Sequence, residues 1–184
     1  MRASLFAIAL TIAASVNAAA VQKRAVSAGV QACIDGLNAA SAQLLTVTSN
    51  VNSFTRSAGY TGALAVHSSE QTLETKLKSA TTSCCAVTTT VSEEDATAVF
   101  GVVGVVVPEI EDALSAIVTK KPEFDAVLLA TSLVKTDITN LNSEVNSLDT
   151  CLIAVTPAAD LAQANAYVAR VNTAFASAKT AYGI

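Results

Sequence analysis

"VFGVVGVVVPEI", residues 99–110, is a run of valines interrupted by Gly101 and Gly104 and closed by Pro108. Four readings compete for it: a strand, a short membrane segment, a phosphate loop, or a helix of unusual composition. A strand needs a pairing partner, and no other segment of the chain alternates with period two. A membrane span needs about 20 apolar residues, and this run supplies roughly half of that. A phosphate loop needs a Lys-Ser/Thr pair after its glycines, or a strand before and a helix after them, whereas here valines follow. Helix remains, at a cost of about 1 kcal/mol for each interior glycine and about 3 for an interior proline, which burial must offset. An apolar stripe does pass through it as Val99, Val103, Val106, Ile110, Leu114 and Ile117, while Val102, Val105 and Val107 make other faces apolar too. Such a helix either sits centrally, with its glycines allowing close packing, or lines a cavity. Pro108 cannot donate to the carbonyl of Gly104, so a kink is expected there.

The same steps of three and four extend to either side. Val26, Val30, Cys33, Leu37, Ala40, Leu44, Val47, Val51 and Phe54 trace a first helix. The loop "TRSAGYTG" follows, then a second helix marked by Leu73, Leu77, Ala80, Cys84 and Val87, its start between residues 62 and 68 ill defined. Ser92 before Glu93, Glu94 and Asp95 places a capping hydroxyl and three carboxylates where free N–H groups and the helix dipole favour them, opening the third helix. "KKPEF" puts Lys120 and Lys121 at its end and Pro122 at the first position of a fourth. That fourth helix carries Phe124, Val127, Thr131, Val134, Ile138, Leu141, Val145, Leu148 and Leu152. Thr156-Pro157 opens a fifth, with Leu161, Ala164, Val168, Val171, Phe175, Ala178 and Tyr182 on one face. The expected fold is all-α: an up-and-down bundle of about five long helices packed as antiparallel neighbours, with a kink near Pro108 in the third.

The N-terminus bounds where the protein works. Arg2, the apolar "LFAIALTIAASV" and the small residues Ala18, Ala19 and Ala20 form the pattern of a secretory signal peptide over residues 1–20. Lys23-Arg24 ends a short pro-segment, 21–24, suited to a kexin-type processing protease, which leaves a single bundle domain over 25–184. That domain keeps eight basic residues against 15 acidic ones, which argues against nucleic acid or an anionic membrane surface as partner. It has no Asn-x-Ser/Thr sequon, and "KTAYGI" lacks the apolar tail of a GPI signal. A freely secreted protein without a transmembrane span is expected. About half of the residues are apolar while aromatics are 4% and Trp is absent, so the core is built of small side chains.

Once the helices are placed, Cys33, Cys84, Cys85 and Cys151 all fall at one end of an up-down-up-down bundle. Two disulfides are expected, Cys33 to one of the vicinal pair and Cys151 to the other, with the partners left open. No metal site is expected, because no nearby His completes one with the cysteines. His67 is the only histidine, so any Ser/His/Asp or Cys/His arrangement would need it as base. Beside "HSSE", at an ill-defined helix start, it reads as a solvated side chain. Glu93, Glu94, Glu109, Glu111 and Asp112 read as solvating charge. Neither catalysis nor a cofactor is expected.

The residues "VVPEIEDALSAIVTKKPEFDAV", the repeat of the fourth helix and the C-terminal "ANAYVARVNTAFASAKTAYG" resemble the fungal hydrophobic surface binding protein A family, which includes the cell wall galactomannoproteins. Weaker agreement runs through "ACIDGLNAASAQLLTVTSNVNSF" and "GYTGALAVHSSEQTLETKLKSA". The resemblance implies a secreted or wall-associated protein without enzymatic activity. One branch is similar to proteins that adsorb to apolar polymer surfaces and recruit a polyester-degrading esterase. Another is similar to antigens that hold a fatty acid inside a five-helix bundle, and a third possibility is a wall mannoprotein without specific ligand. The chain lacks the Ser/Thr/Pro-rich stalk of the larger galactomannoproteins. Adsorption needs apolar surface exposed by an opened bundle, whereas lipid binding needs a cavity in the closed one, which small side chains and a kinked third helix suit. The apolar contact candidates are Val99, Val103, Val106, Ile110, Leu114, Phe124, Leu128, Val134 and Phe175. For a lipid head group, Arg56, His67, Lys120 and Lys121 are expected to gather at the end opposite the cysteines.

Overall fold

The computed structural model describes residues 25–184; the signal peptide and pro-segment expected at 1–24 lie outside them. The first stripe becomes helix α1, Ala28–Ser53, whose buried positions include Val30, Cys33, Leu37, Ala40, Leu44, Val47 and Val51, as the three-and-four spacing requires. Phe54 turns the chain extended, a single 3-10 turn covers Arg56–Ala58, and α2 runs Gly59–Cys85. It starts earlier than the sequence suggests. The supposed loop at 59–62 is already helical, because Ala63 and Val66 carry the buried face back toward that end. Ser92 caps α3, Glu93–Thr119, by accepting a hydrogen bond from the backbone N–H of Asp95. The Asp95 carboxylate in turn accepts from the backbone N–H of Ser27 at 2.9 Å, tying the start of α1 to the start of α3.

The expected fourth helix is divided. A short α4, Lys121–Asp125, is followed by a turn and then α5, Ala130–Val155. Leu129 reverses the chain with φ 69°, a left-handed conformation unusual for a residue with a side chain. Phe124 and Val127 occupy the inward positions of this crossing, which leaves Leu128 facing out at 84% exposure. The last helix, α6, is Leu161–Tyr182. Five of the six helices are thus long, and the described residues contain no strand.

The long helices form a closed ring in the order α1, α2, α5, α6, α3. Chain direction alternates from one long helix to the next, but an odd ring cannot alternate throughout. The α1/α2 and α5/α6 pairs are antiparallel, while α2/α5, α3/α6 and α1/α3 are parallel. The bridge between Cys85 and Cys151 joins the ends of α2 and α5, and the Tyr182 hydroxyl donates to the carbonyl of Ile117 where α6 and α3 end together. The up-and-down bundle of the sequence reading is thus observed, with α1/α2 and α5/α6 as its antiparallel neighbours and parallel contacts closing the ring. Helix α3 is not central. It is a wall of the ring with four fully buried residues, where the other long helices have five to eight, although it is the most apolar of them. The helix runs through Pro108 without dividing, and Pro108 lies on its exposed side. Gly101 has open space around it, and Gly104 is approached only by the Tyr167 hydroxyl. The close-packing glycine is instead Gly36, where an added Cβ would lie 2.8 Å from the Cα of Ala80 in α2.

Candidate functional site

Small side chains on a ring of five helices leave its centre unfilled. The main cavity has a volume of about 100 Å³ and is partly open to solvent. Its wall covers residues 40–51 of α1, 66–77 of α2, 106–117 of α3 and 134–145 of α5, with Phe175 from α6. Each stretch is roughly 16 Å long at the helical rise of about 1.5 Å per residue. A second cavity of about 60 Å³ lies toward the disulfides, between Val30, Cys33, Cys84, Val87, Val99, Phe100, Val103, Leu152 and Tyr167 among others. At the level between them Leu37, Leu148 and Val171 are buried. The apolar stripe of α3 serves both: Val99 and Val103 line one cavity, Val106, Ile110, Leu114 and Ile117 the other.

Val106, Ile110, Leu114, Val134 and Phe175 line the main cavity, and Val99 and Val103 the second. Phe124 is fully buried and stacked on Phe54, ring centroids 4.2 Å apart, and lines neither. Leu128 is on the surface. The cysteines pair as Cys33 with Cys84 and Cys85 with Cys151, Cα atoms 4.5 and 5.1 Å apart.

The cations do not converge on a cavity. Arg56 engages Glu123 through its backbone N–H at 2.8 Å and its guanidinium at 3.3 Å. Lys120 donates to the carbonyl of Phe54, and Lys121 pairs with Asp125 and lies over the ring of Tyr182. These three share the end opposite the disulfides. His67 stands two turns further along α2, its Nδ1 2.7 Å from Asp137 of α5. None of the four lines either cavity.

The polar groups on the wall of the main cavity are ones the helical pattern passed over, notably Glu70 and Asp137. Glu70 takes the stripe position between Val66 and Leu73, and Asp137 lies beside Ile138 on the inward face of α5. A lone acid at a position reserved for a hydrophobe was the available signal. Glu70 is buried, and no donor reaches its carboxyl oxygens, which stand beside the carboxylates of Asp137 and Glu74. Burial, reinforced by the neighbouring charges of Asp137 and Glu74, pushes its pKa up to about 9. Asp137 is raised by burial to about 6, against the opposing influence of His67. Glu70 is therefore a neutral carboxylic acid at neutral pH, able to donate or accept. Ligand atoms of His67, Glu70 and Asp137 lie within 4.8 Å of one another, a spacing a cation could bridge. The hydrogen bond between two of them and the proton on the third give a consistent arrangement without one.

The family model described as hydrophobic surface binding protein A matches residues 30–154, from the buried stripe of α1 to the end of α5. Among solved structures, the chain is similar to Afmp4p in complex with palmitic acid, with 29% identity, TM-score 0.78, and coverage of 83% of this chain and 99% of that one. It is also similar to ligand binding domain 1 of the Penicillium marneffei MP1 protein complexed with arachidonic acids, at 14% identity, TM-score 0.76, and 85% and 99% coverage. Ligand binding domain 2 of the same protein, complexed with multiple arachidonic acids, gives 13% identity, TM-score 0.77, and 86% and 98% coverage. At such identities the two MP1 domains speak for the fold alone. None of the curated proteins matches the chain. With a match that spans well over half of its length and the five-helix ring in common, the chain belongs to the hydrophobic surface binding protein A family.

Proposed function

We propose that this protein is a secreted, non-enzymatic carrier of single-chain lipids, fatty acids or close analogues, held in the main cavity. The observation that carries this reading is the apolar cavity of about 100 Å³ whose wall runs along four helices and receives Phe175 from the fifth. Ligand pockets are mostly apolar with a few placed polar groups, as this one is. An alkyl chain in this one would gain about 25 cal/mol for each Å² withdrawn from water. The palmitic acid complex of Afmp4p supports the same reading. Native mass spectrometry of the protein purified from culture medium tests it: a mass increment matching a fatty acid or related lipid is expected. An empty protein that also fails to take up added lipid would overturn it.

A second reading, contact with apolar surfaces, is favoured by where the exposed large hydrophobics lie. Of seven among the described residues, five sit away from the disulfides, Tyr60 and Leu64 at the start of α2, Leu128 and Leu129 before α5, and Ile184 at the chain end, while Leu45 and Val105 lie along α1 and α3. Such a patch suits end-on adsorption. Depletion of the protein from solution by polyester particles, reduced by Leu128→Ser with Leu129→Ser, is the expected result. Equal depletion of that double variant would remove this patch from the account. A secreted esterase retained on the particles together with the protein would add the recruiting role that the family resemblance implies.

A further inference from the structure

The main cavity carries ionisable groups of one sign only. Glu70 and Asp137 are the titratable side chains on its wall. Arg56, Lys120 and Lys121 are held outside it by Glu123, Phe54 and Asp125. Glu70 is 3% exposed, lies on the cavity wall and accepts no hydrogen bond, its own proton lying toward the carboxylates of Asp137 and Glu74. The groups around it are His67 and Glu74 on its own helix and Asp137 from α5. His67 is tied to Asp137, and Glu74 to Lys78. From α1 the cavity receives Ser41 and Thr48; the Ser41 hydroxyl donates to Glu109 of α3, whose residues on the wall are apolar, as is Phe175 of α6. A ligand carboxylate entering this space would meet Asp137 and no free cation. Burying an uncompensated charge in such a setting is far costlier than burying a hydrogen-bonded neutral group. An uncharged head bearing O–H would instead find in Glu70 an acceptor that now lacks a donor.

We propose that the main cavity selects apolar chains carrying an uncharged hydrogen-bonding head group, a long-chain alcohol or a protonated fatty acid, and that the Glu70 carboxyl is the group that meets this head. The inference rests on the carrier reading and narrows its ligand. The test is displacement of a neutral apolar fluorophore, N-phenylnaphthylamine, from the delipidated full chain by dodecanol and by dodecanoic acid at pH 5 and pH 8. Dodecanol should compete equally at both pH values, while dodecanoic acid should weaken by about tenfold or more at pH 8, where its free carboxyl is ionised. Equal competition by the two lipids at pH 8 would leave the carrier reading standing and overturn this one. Failure of the fluorophore and of both lipids to bind would overturn the carrier reading itself, and this one with it. Binding abolished by a chelator would overturn it too, by assigning the three side chains to a metal. Glu70→Gln, still neutral and hydrogen bonding, should hold dodecanol within about threefold of the parent, whereas Glu70→Leu should lose about tenfold. The comparison of lipids on the unmodified protein stands whether or not either variant folds.

Discussion

Glu70, Asp137 and Asp149 are acids whose protons the fold holds more tightly than the unfolded chain does. Burial is the main cause in each, raising Glu70 from 4.5 to about 9 and the two aspartates from 3.8 to about 6. Between those limits the native state carries the extra protons, so stability falls as pH rises through each window. Glu111, Glu123 and Asp125 work in the opposite sense. They are lowered chiefly by hydrogen bonds from the Arg170 side chain, the Arg56 backbone and Lys121, and their contribution is lost as pH falls below the ordinary carboxylate range. The melting temperature should therefore peak in mild acid and decline toward pH 9. Glu70→Leu should flatten the alkaline limb and, at pH 8, stabilise the protein by on the order of 2 kcal/mol, as replacement of a buried acid by an apolar residue allows. Circular dichroism melts across pH would show this; a limb of unchanged slope would count against the buried acid. On the neighbouring helix α5, Val134→Phe should fill the main cavity and weaken lipid binding at least about tenfold while the melting temperature moves little, and Val103→Phe, in the second cavity, should spare it.

At the scale of the element, α3 is where composition and environment diverge. Val99, Val103 and Val106 are half-buried because they face unfilled space, and the glycines of α3 do not pack against a neighbouring backbone. Gly101→Ala, exposed and uncrowded, should gain about 1 kcal/mol of stability in a denaturant titration. Gly36→Ala, an apparently similar change in α1, should cost about 1–3 kcal/mol, because its new Cβ meets the backbone of α2. Much of the helix placement was legible in steps of three and four, and the exceptions have causes. The start of α2 was obscured by Glu70, which breaks the apolar stripe at the position that would have linked Val66 to Leu73. The break between α4 and α5 was masked because Phe124, Val127 and Val134 all point inward on either side of the turn, keeping the helical spacing while the backbone leaves the helix. Only Leu128 and Leu129, adjacent and exposed, betray it.

For the whole molecule, the two bridges fasten one end of the ring, joining α1 to α2 and α2 to α5 across separations of 51 and 66 residues. In the chain-entropy account each is worth about 4 kcal/mol. Reduction of both should lower the melting temperature by roughly 15–30 °C, at about 2–4 °C per kcal/mol for a chain of this size. A melt unaffected by reductant would show that the bridges act only locally. The amino-acid sequence by itself determined the all-helical class, the five long amphipathic segments and the shared end of the cysteines, because helix periodicity, caps and prolines are local properties written into neighbouring residues. Only the tertiary structure decided the ring order, the parallel pairs that an odd ring imposes, the pairing of the cysteines, and the cavities with Glu70 on their wall. These depend on which faces meet across the ring. A hydrophobic position looks the same in sequence whether a neighbouring helix fills the space before it or leaves that space for a ligand.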